Sequence, residues 1–384
     1  MNFKQELLKA EKLNQYRSLS TLVSQNSSNI TVQGKELINL GSNNYLNMIQ
    51  SKRVLRAFVK NAKLWGVGSG ASRLVTGTLS IHQQLEKELA LFSKKEDSLV
   101  FPSGYMANLG LISTITSKDD LIILDKIDHA SIIDGSRLSQ ASVRVFPHKN
   151  LKYLEDILQK SGKYSKKIIV VDSIFSMDGD ASDLKELVRL KKKYKAWLVV
   201  DEAHAVGVFG ENGCGLADEK GVISEVDFKV GTLSKAFGLQ GGYIASSYDA
   251  IDYLKNRCRS FIYTTSITPA ICGAAIEVVN IFKNYQKQRT GLLEKARWLE
   301  TELSKMNLKT CNTVSQIIPI VIGGEAETLD IQLKLQNKGF FVPAIRYPTV
   351  KKGTERLRIS LTLDHSKKDL KRFLRVLEGL GIKD

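Results

Sequence analysis

A chain of 384 residues that is 43% apolar can bury a large core, which excludes a disordered protein, and no uninterrupted apolar stretch approaches the length of a membrane span. Met1-Asn-Phe-Lys-Gln-Glu carries no secretory h-region, and Cys214, Cys258, Cys272 and Cys311 are scattered without metal-ligand spacing, so reduced thiols in the cytoplasm are expected and no metal site is. Lys+Arg 56 against Asp+Glu 40 gives a net charge of +16, but the bases spread along helix faces such as Lys191-Lys192-Lys193-Tyr194-Lys195 without aromatic interleaving. That pattern argues against nucleic acid and leaves solvated faces with a general attraction for polyanionic small molecules.

In chain order, Phe3, Leu7, Leu8 and Leu13 among charges predict an amphipathic helix over 3–17. A strand over 34–40 feeds Gly41-Ser42-Asn43-Asn44-Tyr45-Leu46, where Asn43 reads as a turn former. The glycine-rich stretch Gly66-Val-Gly68-Ser-Gly70-Ala-Ser72-Arg73 lacks both the dinucleotide spacing and a Walker lysine, so by itself it is a tight loop. Ile81, Leu85, Leu89 and Phe92 recur at helical spacing, and a strand follows over 98–101. Then comes Pro102-Ser103-Gly104-Tyr105-Met106-Ala107-Asn108, where a glycine at a strand-to-helix junction exposes N–H groups at a helix start, a ready site for phosphate, although by themselves these residues read as a simple strand-to-helix turn.

Leu121–Leu124 reads as another buried strand, followed by Asp125-Lys-Ile-Asp128-His129-Ala130-Ser131, where a histidine opens a helix as a cap or surface residue. Ile168–Val171 ends in Asp172 and leads to Ser173-Ile-Phe-Ser176-Met-Asp178-Gly179-Asp180. Leu184, Leu187, Val188 and Leu190 line one face of a helix that returns to the strand Trp197–Val200, with Asp201 at its end and His204 just beyond. Strand and helix alternate throughout, which predicts a mainly parallel sheet covered on both faces, with ligand groups at the strand ends.

The stretch Lys229-Val-Gly231-Thr232-Leu-Ser234-Lys235-Ala-Phe-Gly238-Leu-Gln-Gly241-Gly242 begins as a buried strand and breaks into a loop holding one lysine among small residues. A buried ammonium is expensive unless paired, whereas a lysine beside hydroxyls and glycines can form a Schiff base with an aldehyde. Thr232 and Ser234 are candidate phosphate donors. A separate strand-end carboxylate, Asp201, is what pyridoxal phosphate needs against its ring nitrogen. Downstream, a helical run over 269–306 connects to a strand over 317–322, a helix near 326–338, an apolar strand over 340–345, the strand Arg356–Leu361 and a helix over 366–379. Arg358 alternates out of an apolar strand, and its fork suits a carboxylate or a structural salt bridge.

These motifs together resemble the α-oxoamine synthases, from Tyr16-Arg17 to Leu357-Arg358. Members of that family use pyridoxal 5'-phosphate to condense an amino acid with an acyl-CoA, losing carbon dioxide. The resemblance implies an α/β chain with the PLP-dependent aminotransferase-like fold (fold type I): a large domain with a mainly parallel sheet and a smaller C-terminal α+β domain. The expected divisions are an N-terminal segment at 1–50, the cofactor domain at 51–268 and a connecting helix with the C-terminal domain at 269–384. A homodimer with shared active sites is also implied, the segment from Gly66 to Arg73 and Thr265 reaching the neighbour.

Implied roles follow residue by residue. Lys235 holds the cofactor and moves the α-proton, Asp201 faces the ring nitrogen, and His129 stacks on the ring and touches the substrate. Gly104, Tyr105, Thr232 and Thr265 serve the phosphate, and Ser176 and His204 the phenolic oxygen. Arg358 takes the amino-acid carboxylate, with Asn43, Arg17 and Thr349 also on the substrate side. Asn44 and Asn47 stand where the family has aspartate and glycine, and Asp172 where it has glutamate. The segment from Ala344 to Arg358 resembles the biotin-pathway branch, which joins L-alanine to pimeloyl-CoA or to a pimeloyl acyl carrier protein, although Tyr347 replaces a proline. Other amino acid and acyl pairs within the family, an ordinary aminotransferase and a non-catalytic cofactor-binding paralogue are the alternatives.

Overall fold

Seven short runs build one sheet, most of them apolar and buried on both faces, with Arg144 and Val145 of the edge run Ser142–Phe146 exposed. A computed structural model describes residues 2–26 and 28–382. In it the runs become β1 (Asp97–Phe101), β2 (Leu121–Asp125), β3 (Ser142–Phe146), β4 (Lys167–Asp172), β5 (Trp197–Asp201), β6 (Phe228–Thr232) and β7 (Gly242–Ser246). Their spatial order is β1-β7-β6-β5-β4-β2-β3, and only β7 runs antiparallel to its neighbours. The expected mainly parallel sheet is present. It belongs to a unit formed by Leu46–Phe175 and Ala181–Arg289.

Alternate strand residues share a face, and the pattern is visible in the core: Ile122, Leu124, Ile168, Val170, Val199, Phe228, Val230 and Ile244 meet Ala107, Leu111, Ile112 and Ile115 of the helix Gly104–Ile115. Truncating such a residue, for example Leu111→Ala, costs about 2–5 kcal/mol. That helix is thereby fixed against the sheet, with its first turn at the carboxyl ends of the parallel strands.

The second unit comprises Met1–Tyr45, Ser176–Asp180 and Thr290–Asp384. It holds an antiparallel sheet of Ile317–Val321, Arg356–Ser360 and Ala344–Ile345, and a sheet of Leu22–Gln25, Asn29–Val32, Lys35–Asn39 and Phe340–Phe341. The single strand expected over 340–345 is therefore divided between two sheets. Pro343 lies at the division; it has no N–H to extend a ladder, and its carbonyl accepts the Arg358 N–H at 3.0 Å. The first helix stops at Lys12, short of the expected 17, because Asn14 takes a left-handed conformation with φ 53°. The helical run over 269–306 is two helices, Pro269–Phe282 and Gln286–Lys305. At the break the buried Arg289 donates to the Phe282 carbonyl at 2.8 Å, which also accepts the Tyr285 N–H at 3.2 Å, so the last carbonyl of the ended helix is satisfied by the turn and by the next helix.

Candidate active site

Where the apolar runs β2, β4, β5 and β6 stop, each delivers a polar side chain: Asp125, Asp172, Asp201 and Thr232. Asp172 and Asp201 are register partners across the β4–β5 ladder, so their side chains leave the sheet on one face. Both are buried. Asp172 accepts the His129 backbone N–H at 2.9 Å. Burial pushes the Asp172 carboxyl above its usual range, the Asp201 charge adds to the rise and the Lys235 ammonium opposes it. Asp201 accepts the Ala203 N–H at 2.8 Å on Oδ1 and the Asn108 Nδ2–H at 2.6 Å on Oδ2, which leaves each oxygen a lone pair for a further donor.

Lys235 stands three residues beyond β6 in a turn tied by hydroxyls. Thr232 Oγ1 donates to the Gly241 carbonyl at 3.0 Å and accepts the Ser234 N–H at 3.1 Å, and Ser234 Oγ donates to the same carbonyl at 3.2 Å. The turn places Lys235 half-buried, with Nζ 3.0 Å from Nε2 of His204. His129 caps the helix Ala130–Leu138, its Nδ1 accepting the Ser131 N–H at 3.2 Å and lying 2.7 Å from Ser131 Oγ. His129 is exposed as a residue, yet the protein packed around its imidazole lowers its pKa below that of a free imidazole, with Lys235 lowering it further and Asp201 opposing. The capping reading of His129 is thus correct as local structure and leaves its ring available.

The helix Gly104–Ile115 begins at the same edge. Ser103 caps it by accepting the Met106 N–H at 3.2 Å, while the N–H groups of Gly104 and Tyr105 point out of the first turn without partners among the described residues. A Cβ on Gly242 would lie 2.5 Å from Gly104 N and Cα, so only glycine permits this approach of β7 to the helix start. An ideal Cβ on Gly104 would in turn sit 3.5 Å from the Thr232 hydroxyl. Two orphan donors, a hydroxyl and a helix N-terminus form a cradle for a phosphate, and a carboxylate and an amine stand nearby on the same sheet edge. The donor set fits pyridoxal phosphate. Tyr105 itself turns outward, its hydroxyl donating to Asp134. Thr265 is exposed and bridges to Ser72, bonded to none of the residues above.

The remaining candidates belong to the smaller unit. Arg358 is 6% exposed, yet no carboxylate pairs with it among the described residues. Its Nε donates to the Ser176 carbonyl at 2.6 Å, Nη1 to Ser360 Oγ at 2.8 Å, and both Nη atoms lie 3.4 Å from Asn43 Oδ1. Tyr45 donates its hydroxyl to the same Asn43 oxygen at 3.1 Å. Ser176 therefore meets Arg358 through its backbone. Arg17 and Thr349, both exposed, meet each other, Nη2 to Oγ1 at 3.1 Å.

The family described as aminotransferase class I and II matches residues 35–377 of this chain. The 8-amino-7-oxononanoate synthase of Thermoanaerobacter pseudethanolicus is 40% identical over 379 residues, covering 98% of this chain and 96% of that protein. Among solved structures, the serine palmitoyltransferase of Sphingomonas wittichii superposes with a TM-score of 0.92 at 33% identity, covering 98% of this chain and 95% of that one. A further serine palmitoyltransferase, solved with pyridoxal phosphate as internal aldimine, gives 0.91 at 30% identity over 99% of this chain and 96% of its own. This chain is an α-oxoamine synthase of the class I and II aminotransferase family.

As an α-oxoamine synthase it is an acyltransferase with pyridoxal 5'-phosphate as cofactor and small molecules as substrates. No helix among the described residues is long and apolar enough to cross a membrane. The synthase also carries two buried polar residues that sequence reasoning assigned no part, Asn108 and Ser131. Asn108 lies four residues past Gly104, one helical turn further along the helix, and that i, i+4 offset within the Gly104 motif is the signal that could have found it.

Proposed function

We propose that the synthase condenses L-alanine with pimeloyl-CoA, or with the same acyl group on a carrier protein, to give 8-amino-7-oxononanoate, free thiol and carbon dioxide in biotin biosynthesis. The observation that carries this reading is the end-to-end match, at 40% identity over 98% of the chain, to a relative named for that activity. The cofactor supplies the electron sink that makes the alanine α-carbon acidic. Lys235 would hold the cofactor by its amine, and its Nζ would take the α-proton and return a proton to the same carbon. Asp201 would accept a hydrogen bond from the ring nitrogen. His129 would face the ring with its imidazole and offer Nε2 to the substrate carbonyl. Gly104 and Tyr105 bind the phosphate through backbone N–H groups. Thr232 joins them by turning its proton from Gly241, and Thr265 serves the neighbour's phosphate. Ser176 and His204 hold the phenolic oxygen.

Arg358 takes the alanine carboxylate. A buried guanidinium whose partners are all neutral oxygens is the arrangement such a role requires, because its charge has no carboxylate among the described residues to balance it. Asn43 stands beside that fork, and Arg17 with Thr349 serves the acyl side. A homodimer is part of this reading, and Leu55, Leu64, Val67, Leu74, Val75 and Tyr263 are exposed apolar side chains that a partner copy would cover, Val67 being 92% exposed. The short, scattered free thiols fit a cytoplasmic location.

A panel of alanine, glycine and serine against pimeloyl-, succinyl-, acetyl- and palmitoyl-CoA, followed by thiol release and product mass, tests the substrate pair. Turnover of alanine with pimeloyl-CoA exceeding every other pair supports it. Faster turnover of glycine or serine pairs reassigns the chain within its family, and amino transfer without thiol release overturns the condensation. Sedimentation of the purified chain tests the dimer.

A further inference from the structure

Beneath the residues assigned to the cofactor runs a buried polar relay that none of those assignments uses. Asn108, 2% exposed, spends both amide protons: one on Asp201 Oδ2 at 2.6 Å and one on Ser131 Oγ at 2.9 Å. The opposite amide orientation would set Oδ1 against a carboxylate oxygen at the same short distance, so the Asp201 contact fixes which way the amide faces. In that orientation Asn108 Oδ1 is buried without a hydrogen-bond partner among the described residues, so the amide is held by its two donors alone. Ser131, fully buried, accepts from Asn108, which leaves its own proton for the atom 2.7 Å away, Nδ1 of His129. The Ser131 backbone N–H points at the same nitrogen from 3.2 Å. Two donors aimed at Nδ1 make it an acceptor, so the neutral ring carries its proton on Nε2.

We propose that Asn108 and Ser131 are positioning residues that couple Asp201 to His129, holding the carboxylate in one orientation and the imidazole in the Nε2–H tautomer. The inference rests on the site roles proposed above. Asp201 is held on Oδ1 by the backbone of its own loop and on Oδ2 by Asn108, so without the amide the carboxylate can rotate about its one free torsion away from the ring nitrogen. The histidine tautomer matters because only an Nε2–H can donate to an oxygen on the substrate, whereas the other tautomer would present a lone pair to it.

The test uses the full chain labelled with 15N-histidine and reconstituted with pyridoxal phosphate. Wild type is expected to show His129 as the Nε2–H tautomer in imidazole nitrogen shifts, assigned by its loss in His129→Gln. Ser131→Ala is expected to mix the two tautomers while leaving cofactor affinity within about twofold. Asn108→Leu, similar in shape and without donors, is expected to mix them and also to weaken cofactor binding about tenfold. Unchanged tautomer and affinity in a folded Asn108→Leu overturn the proposal. If that variant does not fold, Ser131→Ala decides, since an unchanged His129 tautomer there is equally fatal. Failure of the underlying site reading looks different: wild type and Lys235→Ala would then bind pyridoxal phosphate with the same visible spectrum.

Discussion

Arg358 shows how one side chain can be misjudged from its neighbours in the sequence. In an apolar strand it reads equally well as a salt-bridge member or as a ligand group, and Arg356 two positions earlier is the former, paired with Asp178 and receiving no substrate role. What separates them is the partner: Arg356 has a carboxylate, and Arg358 has a carbonyl, a hydroxyl and an amide oxygen. The distinction predicts the outcome of Arg358→Lys. An ammonium keeps the charge but offers a point in place of a fork, so alanine KM is expected to rise about tenfold or more with a smaller loss in kcat. Arg356→Lys is expected instead to lower the melting temperature with alanine KM nearly unchanged. Equal effects of the two substitutions on KM would remove the carboxylate role from Arg358.

At the scale of elements, the strands over 121–124, 168–171 and 197–200 were legible because each is a short apolar stretch that stops at an aspartate, whereas Ser142–Phe146, with Arg144 exposed, and Gly242–Ser246 were not read from the sequence. What escaped were features set by distant partners. Pro343 divides a strand between two sheets, Arg289 marks the break between two helices, and the Asn108 relay spans 93 residues to Asp201. Gly242 is of the same kind, since its requirement comes from the helix start it faces. Gly242→Ala would drive a methyl into Gly104 and displace the first turn, so pyridoxal phosphate affinity is expected to fall about tenfold or more, measured by titrating the apo chain. Retained affinity would show that this helix start does not carry the phosphate. The last helix offers a pH-dependent counterpart. His365 just before it accepts the Thr362 N–H on Nδ1 and bonds the Asn39 carbonyl through Nε2, and burial, with the Lys295 charge adding, pushes its pKa down to about 4. Protonation is therefore harder folded than unfolded, so stability is full above about pH 6.5 and falls as pH drops from there towards 4. Unfolding free energies from urea titrations should decline over that window by an amount on the order of 3 kcal/mol, and His365→Asn should flatten the decline. An equally steep decline in His365→Asn would assign the acid sensitivity elsewhere.

For the whole molecule the decisive number is its charge, +16 in 384 residues. The basic surplus reads from the sequence as solvated helix faces with a general attraction for polyanionic small molecules, and the fold shows many of those bases in exposed ion pairs, such as Lys193 with Glu155 and Arg189 with Glu186. Such pairs contribute little to stability, about 0.2–1 kcal/mol each, and leave the long-range field of the unpaired bases intact. That field acts on substrates in proportion to their charge. An acyl-CoA carries several negative charges on its phosphates, whereas alanine is a zwitterion with none in net. Raising ionic strength from about 0.05 to about 0.5 M shortens the screening length from roughly 14 to roughly 4 Å, which weakens attraction to the thioester and leaves alanine almost untouched. KM for pimeloyl-CoA is accordingly expected to rise several-fold, about threefold or more, while alanine KM shifts less than about 1.5-fold and kcat stays level. If both KM values rise together, salt is acting on the fold or the assembly and the surplus has no part in capturing the acyl donor. If neither moves, the charge is a property of the solvated surface alone.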